Sequence, residues 1–291
     1  MSFAATRVLC KRPPSSTTWL SRQLRDPYVR QRASHPLHFR SRSAFKLLEL
    51  DEKWRIFQHD VRAVVDLGAA PGGWSQVAAW KLGLMEEDVV GFPRKNRRAG
   101  SEADAEYSQR GAEVGFGSHD LPDSLHDFGI SEVTKPDTTQ KDERGTIVAV
   151  DLLRMLPMEG VETVQMDFLS PQADAFVTSL VTKENNSDGK VDVVLSDMAA
   201  NVTGNRAHDI ESCLDVCTAA ANFARRHLRN AEDVGRRKAG VLIIKYFEDP
   251  LLTKFRNEEL KPHFNAVYNS KPAASRGESS EGYWVCMGFK G

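Results

Sequence analysis

The stretch Val64–Ala78, VVDLGAAPGGWSQVA, constrains the fold more than any other part of the chain. Val64, Val65 and Leu67 form a β-branched and aliphatic run that predicts a buried strand, and Gly68, Pro71, Gly72 and Gly73 break it. From Trp74 onward, Val77, Ala78, Trp80, Leu82 and Leu84 suit a helix. Such a unit aims helix N–H groups into the crevice at the carboxyl end of a strand, where open α/β sheets bind ligands. Glycine in the turn lets the backbone approach a ligand with no Cβ in the way. The spacing is neither G-x-G-x-x-G nor a glycine loop followed by G-K-[ST], which argues against a dinucleotide fingerprint and a P-loop.

Strand-like runs recur along the chain. Thr146–Val150 is closed by Asp151, Val161–Met166 by Asp167 and Val191–Ser196 by Asp197, while Gly240–Tyr246 contains Lys245. Ala207–Leu228 reads as a long amphipathic helix and Ser41–Phe57 as a shorter one. Lys46 lies among the apolar positions of the latter, and periodicity alone makes it a surface lysine with a snorkelling stem. Phe264–Asn269 and Gly282–Gly288 are the last strand candidates, joined by the polar loop Ser270–Glu281. Strands alternating with helices predict a parallel-dominated α/β sheet, and the short final connection predicts an antiparallel hairpin at its end.

The formal net charge of −1 argues against nucleic-acid binding over the whole surface, so any polyanion must meet a local basic face. Thr17–Arg40 offers one: Arg22, Arg25, Arg30, Arg32 and Arg40 stand against Asp26 alone, with Trp19, Tyr28 and Phe39 interleaved. That pattern suits phosphate neutralisation and base stacking, and equally a solvated helix face. Residues 1–15 carry Arg7, Lys11 and Arg12 with no acid and resemble a transit peptide. Arg94–Arg144 is rich in charge, Gly, Ser and Asp, and reads as an insertion into a single domain spanning 16–291. No apolar run reaches the length of a membrane helix. Cys10, Cys213, Cys217 and Cys286 form no C-x-x-C pair, so no disulfide framework or metal site is expected, and Cys213 and Cys217 read as packing residues.

The acids at strand ends carry the chemistry. Asp151, after the second strand, is placed to accept hydrogen bonds from a ribose diol; Asp167 suits an adenine amino group or the cap of the next helix. Asp197 and Lys245 belong to neighbouring strands, so their charges are expected to meet at the mouth of the crevice.

The segments RSRSAFKLLELDEKWRIF, VVDLGAAPGGWSQVA, IVAVDLLRM, VQMDF, VDVVLSDMAANVTG, GVLIIKYF and KPAASRGESSEGYWVCMG together resemble the FtsJ-like ribosomal RNA 2′-O-methyltransferases, most closely the mitochondrial, fungal-type branch. The resemblance implies a Rossmann-like methyltransferase fold, with a mostly parallel seven-stranded sheet, a reversed last strand and helices on both faces. It implies S-adenosylmethionine as cofactor and a uridine of mitochondrial large-subunit ribosomal RNA as substrate. The family's catalytic residues fall on Lys46, Asp197, Lys245 and Glu281, with Glu278 in the same loop as the weaker choice for the last. Its cofactor positions fall on Gly68, Ala69, Pro71, Gly72, Gly73, Trp74, Asp151, Leu152, Asp167, Phe168 and Asp197. The expected protein is a monomer of the mitochondrial matrix with no membrane partner. A cytosolic tRNA methyltransferase and an RNA-binding ribosome-assembly factor are the competing readings. The chain departs from many relatives at Met198-Ala199-Ala200-Asn201, where they carry proline after the first alanine. In the mechanism this implies, Lys245 acts as general base or steers the hydroxyl lone pair, Lys46 lowers its proton affinity by repulsion, and Asp197 and Glu281 orient it.

Overall fold

The computed structural model describes residues 21, 25–85, 145–200, 203–277 and 279–291. The leader-like residues 1–15, the charged insertion 94–144, Asn201 and Glu278 lie outside them.

Seven strands form one sheet: β1 (Ala63–Leu67), β2 (Thr146–Asp151), β3 (Glu162–Gln165), β4 (Val193–Ser196), β5 (Val241–Phe247), β6 (Phe264–Ser270) and β7 (Glu281–Phe289). Their order is β3-β2-β1-β4-β5-β7-β6. The pairs from β3 to β5 are parallel, in register Val65 with Val148 and with Val194, and Val194 with Leu242. The expected hairpin is present, but β7 slots between β5 and β6 and runs antiparallel to both. Ile243 thereby faces Val285, and Glu281 arrives beside Phe247 at the carboxyl end of β5.

Among the described residues the named helices are α1 (Pro27–Ser34), α2 (Ser43–Trp54), α3 (Gly73–Lys81), α4 (Pro171–Val181), α5 (Arg206–His227), the single turn α6 (Ala231–Val234) and α7 (Pro250–Phe255), which runs into a π-turn over Arg256–Leu260. Alternation along the buried strands sends side chains to opposite faces of the sheet. Val65, Leu67, Leu242 and Ile244 pack with Val177 of α4, Phe223 of α5 and Leu252 of α7. Val64, Val241 and Ile243 pack with Leu47 and Leu50 of α2 and with Trp74 and Val77 of α3. Burying each of these large aliphatic side chains contributes roughly 1.5–3 kcal/mol relative to leaving it in water.

Two local departures from expectation have clear causes. α2 stops at Trp54, short of Phe57, because Arg55 adopts a left-handed conformation (φ 52°) and buried Asp51 accepts the Ile56 and Phe57 N–H groups. The basic stretch Thr17–Arg40 contains a helix that starts at Pro27, where Asp26 accepts the Tyr28 N–H at 3.1 Å. Phe39 is buried against His35 and Phe45, and Tyr28 packs on Phe45. These two aromatics are therefore packing residues, not platforms for bases, and Trp19 lies outside the described residues. Cys213, Cys217 and Cys286 are buried in the core, with Cys217 Sγ donating to the Lys245 carbonyl at 3.4 Å.

Candidate active site

The chemistry-bearing side chains converge at the carboxyl ends of β1, β2, β4 and β5. After β1 the chain turns through Gly68 (φ 67°), whose N–H and that of Ala69 donate to the Val150 carbonyl. A Cβ on Gly68 would lie 2.1 Å from Met198 Cγ, so only glycine lets the turn pass under that side chain. Gly72 (φ 105°) then starts α3 in a conformation that side chains rarely adopt. Beneath the turn, Asp66 is 1% exposed and accepts the Ser75 hydroxyl at 2.6 Å. Burial is the main reason its carboxyl is pushed up to about 7; the Ser75 hydrogen bonds work against that rise, and the negative charges of Asp197 and Asp151 add to it.

Asp151 closes β2 with both oxygens engaged by backbone: Oδ2 accepts the Ala70 N–H at 2.8 Å and Oδ1 the Leu153 N–H at 2.7 Å. Each carboxylate oxygen keeps acceptor capacity for a further donor. Asp167 accepts the Leu169 N–H two residues on, which forms the turn before α4. Asp167 does not cap α4, whose N-cap is Ser170, because its Oδ1 is engaged in the turn one residue earlier. The Trp74 indole points inward, donating to the Ser43 carbonyl at 2.8 Å and lying 5.6 Å from the Tyr283 ring. Phe168 packs edge-on to Phe223, while Leu152 stands exposed beside Asp151.

The four expected charged residues come together in one place. Lys46, read from periodicity as a surface lysine, is only 7% exposed, and its Nζ pairs with Glu281 Oε1 at 2.6 Å. Lys245 Nζ pairs with Asp197 Oδ1 at 3.2 Å, reaches the Asp197 carbonyl at 3.4 Å and lies 4.0 Å from Glu281 Oε2. Glu281 thus stands as a shared counter-charge, and the two ammonium groups do not confront each other bare. Burial alone would raise the Glu281 carboxyl; the hydrogen bond and charge of Lys46, with the charge of Lys245, outweigh it and hold the group below its usual value.

Sequence reasoning missed one member of this cluster. Tyr283 donates its hydroxyl to Asp197 Oδ1 at 2.6 Å and accepts from Lys46 Nζ at 3.1 Å, joining the two ion pairs. Burial, then the charges of Asp197 and Glu281, raise its pKa far above the ordinary phenol value, so the hydroxyl stays protonated and donates. Its position two residues after Glu281 in a strand places both side chains on one sheet face, which was the available signal.

Comparison with known proteins completes the picture. The sequence pattern of the FtsJ-like methyltransferases matches residues 39–98 and 130–289. The chain belongs to this family. Ribosomal RNA large subunit methyltransferase E of Bradyrhizobium diazoefficiens is 35% identical over 281 residues, 97% of this chain and 91% of its own. The protein of that name from Parvibaculum lavamentivorans is 36% identical over 285 residues, covering 97% and 84%. A crystal structure described as a ribosomal RNA methyltransferase of Plasmodium falciparum shares the fold, with a TM-score of 0.55 at 19% identity over 87% of this chain and all of its own. The chain is accordingly a methyltransferase, with the family's mostly parallel seven-stranded sheet.

Proposed function

We propose that this protein is an S-adenosylmethionine-dependent ribose 2′-O-methyltransferase of large-subunit ribosomal RNA, acting on a uridine in the mitochondrial matrix. The observation that carries the reading is the buried Lys46–Glu281 and Lys245–Asp197 pairs joined by Tyr283, set beside a glycine turn and the strand-end carboxylate Asp151. The large-subunit relatives support the ribosomal substrate. The uridine and the mitochondrial address rest on the family resemblance and on the basic, acid-free residues 1–15.

The donor set fits the cofactor. Asp151 offers carboxylate acceptors for a ribose diol, Asp167 keeps an oxygen for an adenine amino group, and the first turn of α3 presents N–H groups. Bound S-adenosylmethionine supplies a methyl group already activated as a sulfonium. The protein's own task is therefore alignment and the management of one proton, and alignment can supply roughly 7–11 kcal/mol of such a barrier. Lys245, 3.2 Å from Asp197 at the strand ends, steers the lone pair of the ribose hydroxyl toward the methyl, and the Asp197 carboxylate takes up the proton released as the O–C bond forms. Lys46 is fixed by Glu281 and Tyr283, and through Tyr283 it sets the direction in which Asp197 points.

The test is transfer of labelled methyl from S-adenosylmethionine to large-subunit particles, small-subunit particles and total tRNA, with the modified ribose mapped by resistance to alkaline cleavage. Label confined to the large subunit, lost in Lys245→Ala with cofactor binding kept, is the expected result. Label on tRNA would overturn the substrate, and no label anywhere would favour a role in assembly without methylation. Imaging of a tagged protein with and without residues 1–15 tests the mitochondrial address.

A further inference from the structure

The loop from Asp151 to Pro157, between β2 and β3, is poorly anchored by packing. Leu152, Leu153 and Leu156 are 67%, 66% and 79% exposed, and Met155 is the residue of this stretch that is buried. Its outer end is held instead by Arg40, from the segment preceding α2. Arg40 Nη1 donates to the Leu156 carbonyl at 2.7 Å and Nη2 to the Pro157 carbonyl at 2.6 Å, while Nη1 also reaches the Pro71 carbonyl at 3.5 Å. Its stem passes the glycine turn closely enough that a Cβ on Gly72 would meet Arg40 Cδ at 3.4 Å. The base of Arg40 is fixed as well: its N–H donates to Gln76 Oε1 of α3 at 3.0 Å, and Gln76 Nε2 donates to the Leu37 carbonyl at 2.6 Å.

The two loops bridged by Arg40 are the walls of the cofactor crevice, and Asp151 already ties them at their inner end through Ala70 and Leu153. We propose that Arg40 is a positioning residue for the cofactor: its guanidinium clamps the loop after β2 to the glycine turn and thereby keeps Asp151 set for the ribose diol. This rests on the reading of the site as an S-adenosylmethionine site. The planar fork matters because it meets two successive carbonyls with separate N–H groups; an ammonium is a point donor that cannot match both in that geometry. An arginine in a basic segment of an RNA-modifying protein has an obvious competing role, neutralising a phosphate. Here both terminal nitrogens already have carbonyl acceptors.

The two roles separate by which affinity changes. Cofactor binding is measured by calorimetry on the RNA-free full chain, and methyl transfer is measured at varied cofactor and varied RNA. Arg40→Ala is expected to weaken S-adenosylmethionine binding about tenfold and raise its KM in step, with kcat at saturation within twofold and the KM for RNA unchanged. Arg40→Lys should fall between, and hydrogen exchange over 152–157 should quicken in both variants. Since Arg40→Lys keeps the charge and the stem, it also serves if the alanine variant fails to fold. Unchanged cofactor affinity with a raised KM for RNA would overturn the proposal in favour of a phosphate contact, and unchanged exchange over 152–157 would overturn the clamp. Failure of the unaltered protein to bind S-adenosylmethionine would instead sink the function on which the proposal stands, and the proposal with it.

Discussion

Asp66→Asn should remove a pH-dependent instability that the fold carries beneath its ligand turn. The Asp66 carboxyl is buried, with its proton held up to about pH 7 in the folded chain against an ordinary 3.8. Between those values the folded protein keeps a proton that the unfolded chain has released, so unfolding releases a proton and rising pH favours it. The sign is therefore destabilisation by alkali: stability from this group is full below about pH 4 and lost progressively up to about pH 7. A gap of about 3 pH units at about 1.4 kcal/mol each gives about 4 kcal/mol, an upper bound for this single group. Asparagine has the same shape, can still accept the Ser75 hydroxyl and carries no charge. The assay is urea unfolding of both proteins at pH steps from 5 to 8. The difference between them should grow by about 1.4 kcal/mol per pH unit in favour of Asn up to about pH 7 and then level off. Parallel stability curves for the two proteins across that range would refute the reasoning, because Asp66 would then ionise alike in both states.

Three other outcomes are expected. Tyr283→Phe keeps the ring against Trp74 but deletes both hydrogen bonds of the hydroxyl; a charge-assisted bond of about 1.5–3 kcal/mol implies a kcat lower by roughly ten- to a hundredfold, with cofactor affinity unchanged in calorimetry. Gly68→Ala should weaken cofactor binding and cost more than about 1 kcal/mol from its left-handed conformation alone; adding Met198→Ala relieves the 2.1 Å clash but not the conformational strain, so thermal melts should show partial recovery only. Asp51→Ala strips the acceptor of two N–H groups and the partner of Lys81 at 2.7 Å; about 3 kcal/mol of stability should go in denaturant titration, with kinetic constants at permissive temperature unchanged.

What the sequence could and could not reveal follows from how local each signal is. β1, β2, β4 and β5 are buried on both faces, so their continuous aliphatic runs announce them, and an acid at the end of a run marks where the crevice lies. Lys46 is the opposite case. Its neighbours on α2 describe an ordinary amphipathic helix, and the reason it is buried, Glu281, is contributed by the far end of the chain. Family resemblance found it where periodicity misplaced it. The insertion of β7 between β5 and β6 was equally hidden, since a hairpin motif says which strands pair with each other and not which of them joins the sheet. α1 was legible in part: Asp26-Pro27 is a helix start, and the stretch suits a helix face as well as a phosphate-binding one.

That strand order imposes a schedule on the newborn enzyme. Lys46 and Tyr283 are 237 residues apart, and β6 joins the sheet only through the later-made β7. While a ribosome is still adding residues before 281, the growing chain already owns its glycine turn, Asp151 and Asp197, yet has no counter-charge for Lys46 and no seat for β6. On the proposed reading of the site, the cofactor crevice can thus form early in translation, whereas the Lys46–Glu281–Tyr283 cluster closes only once β7 is made. A product that stopped before β7 would lack the Lys46 counter-charge and would carry an open β5 edge ready to pair with a neighbour.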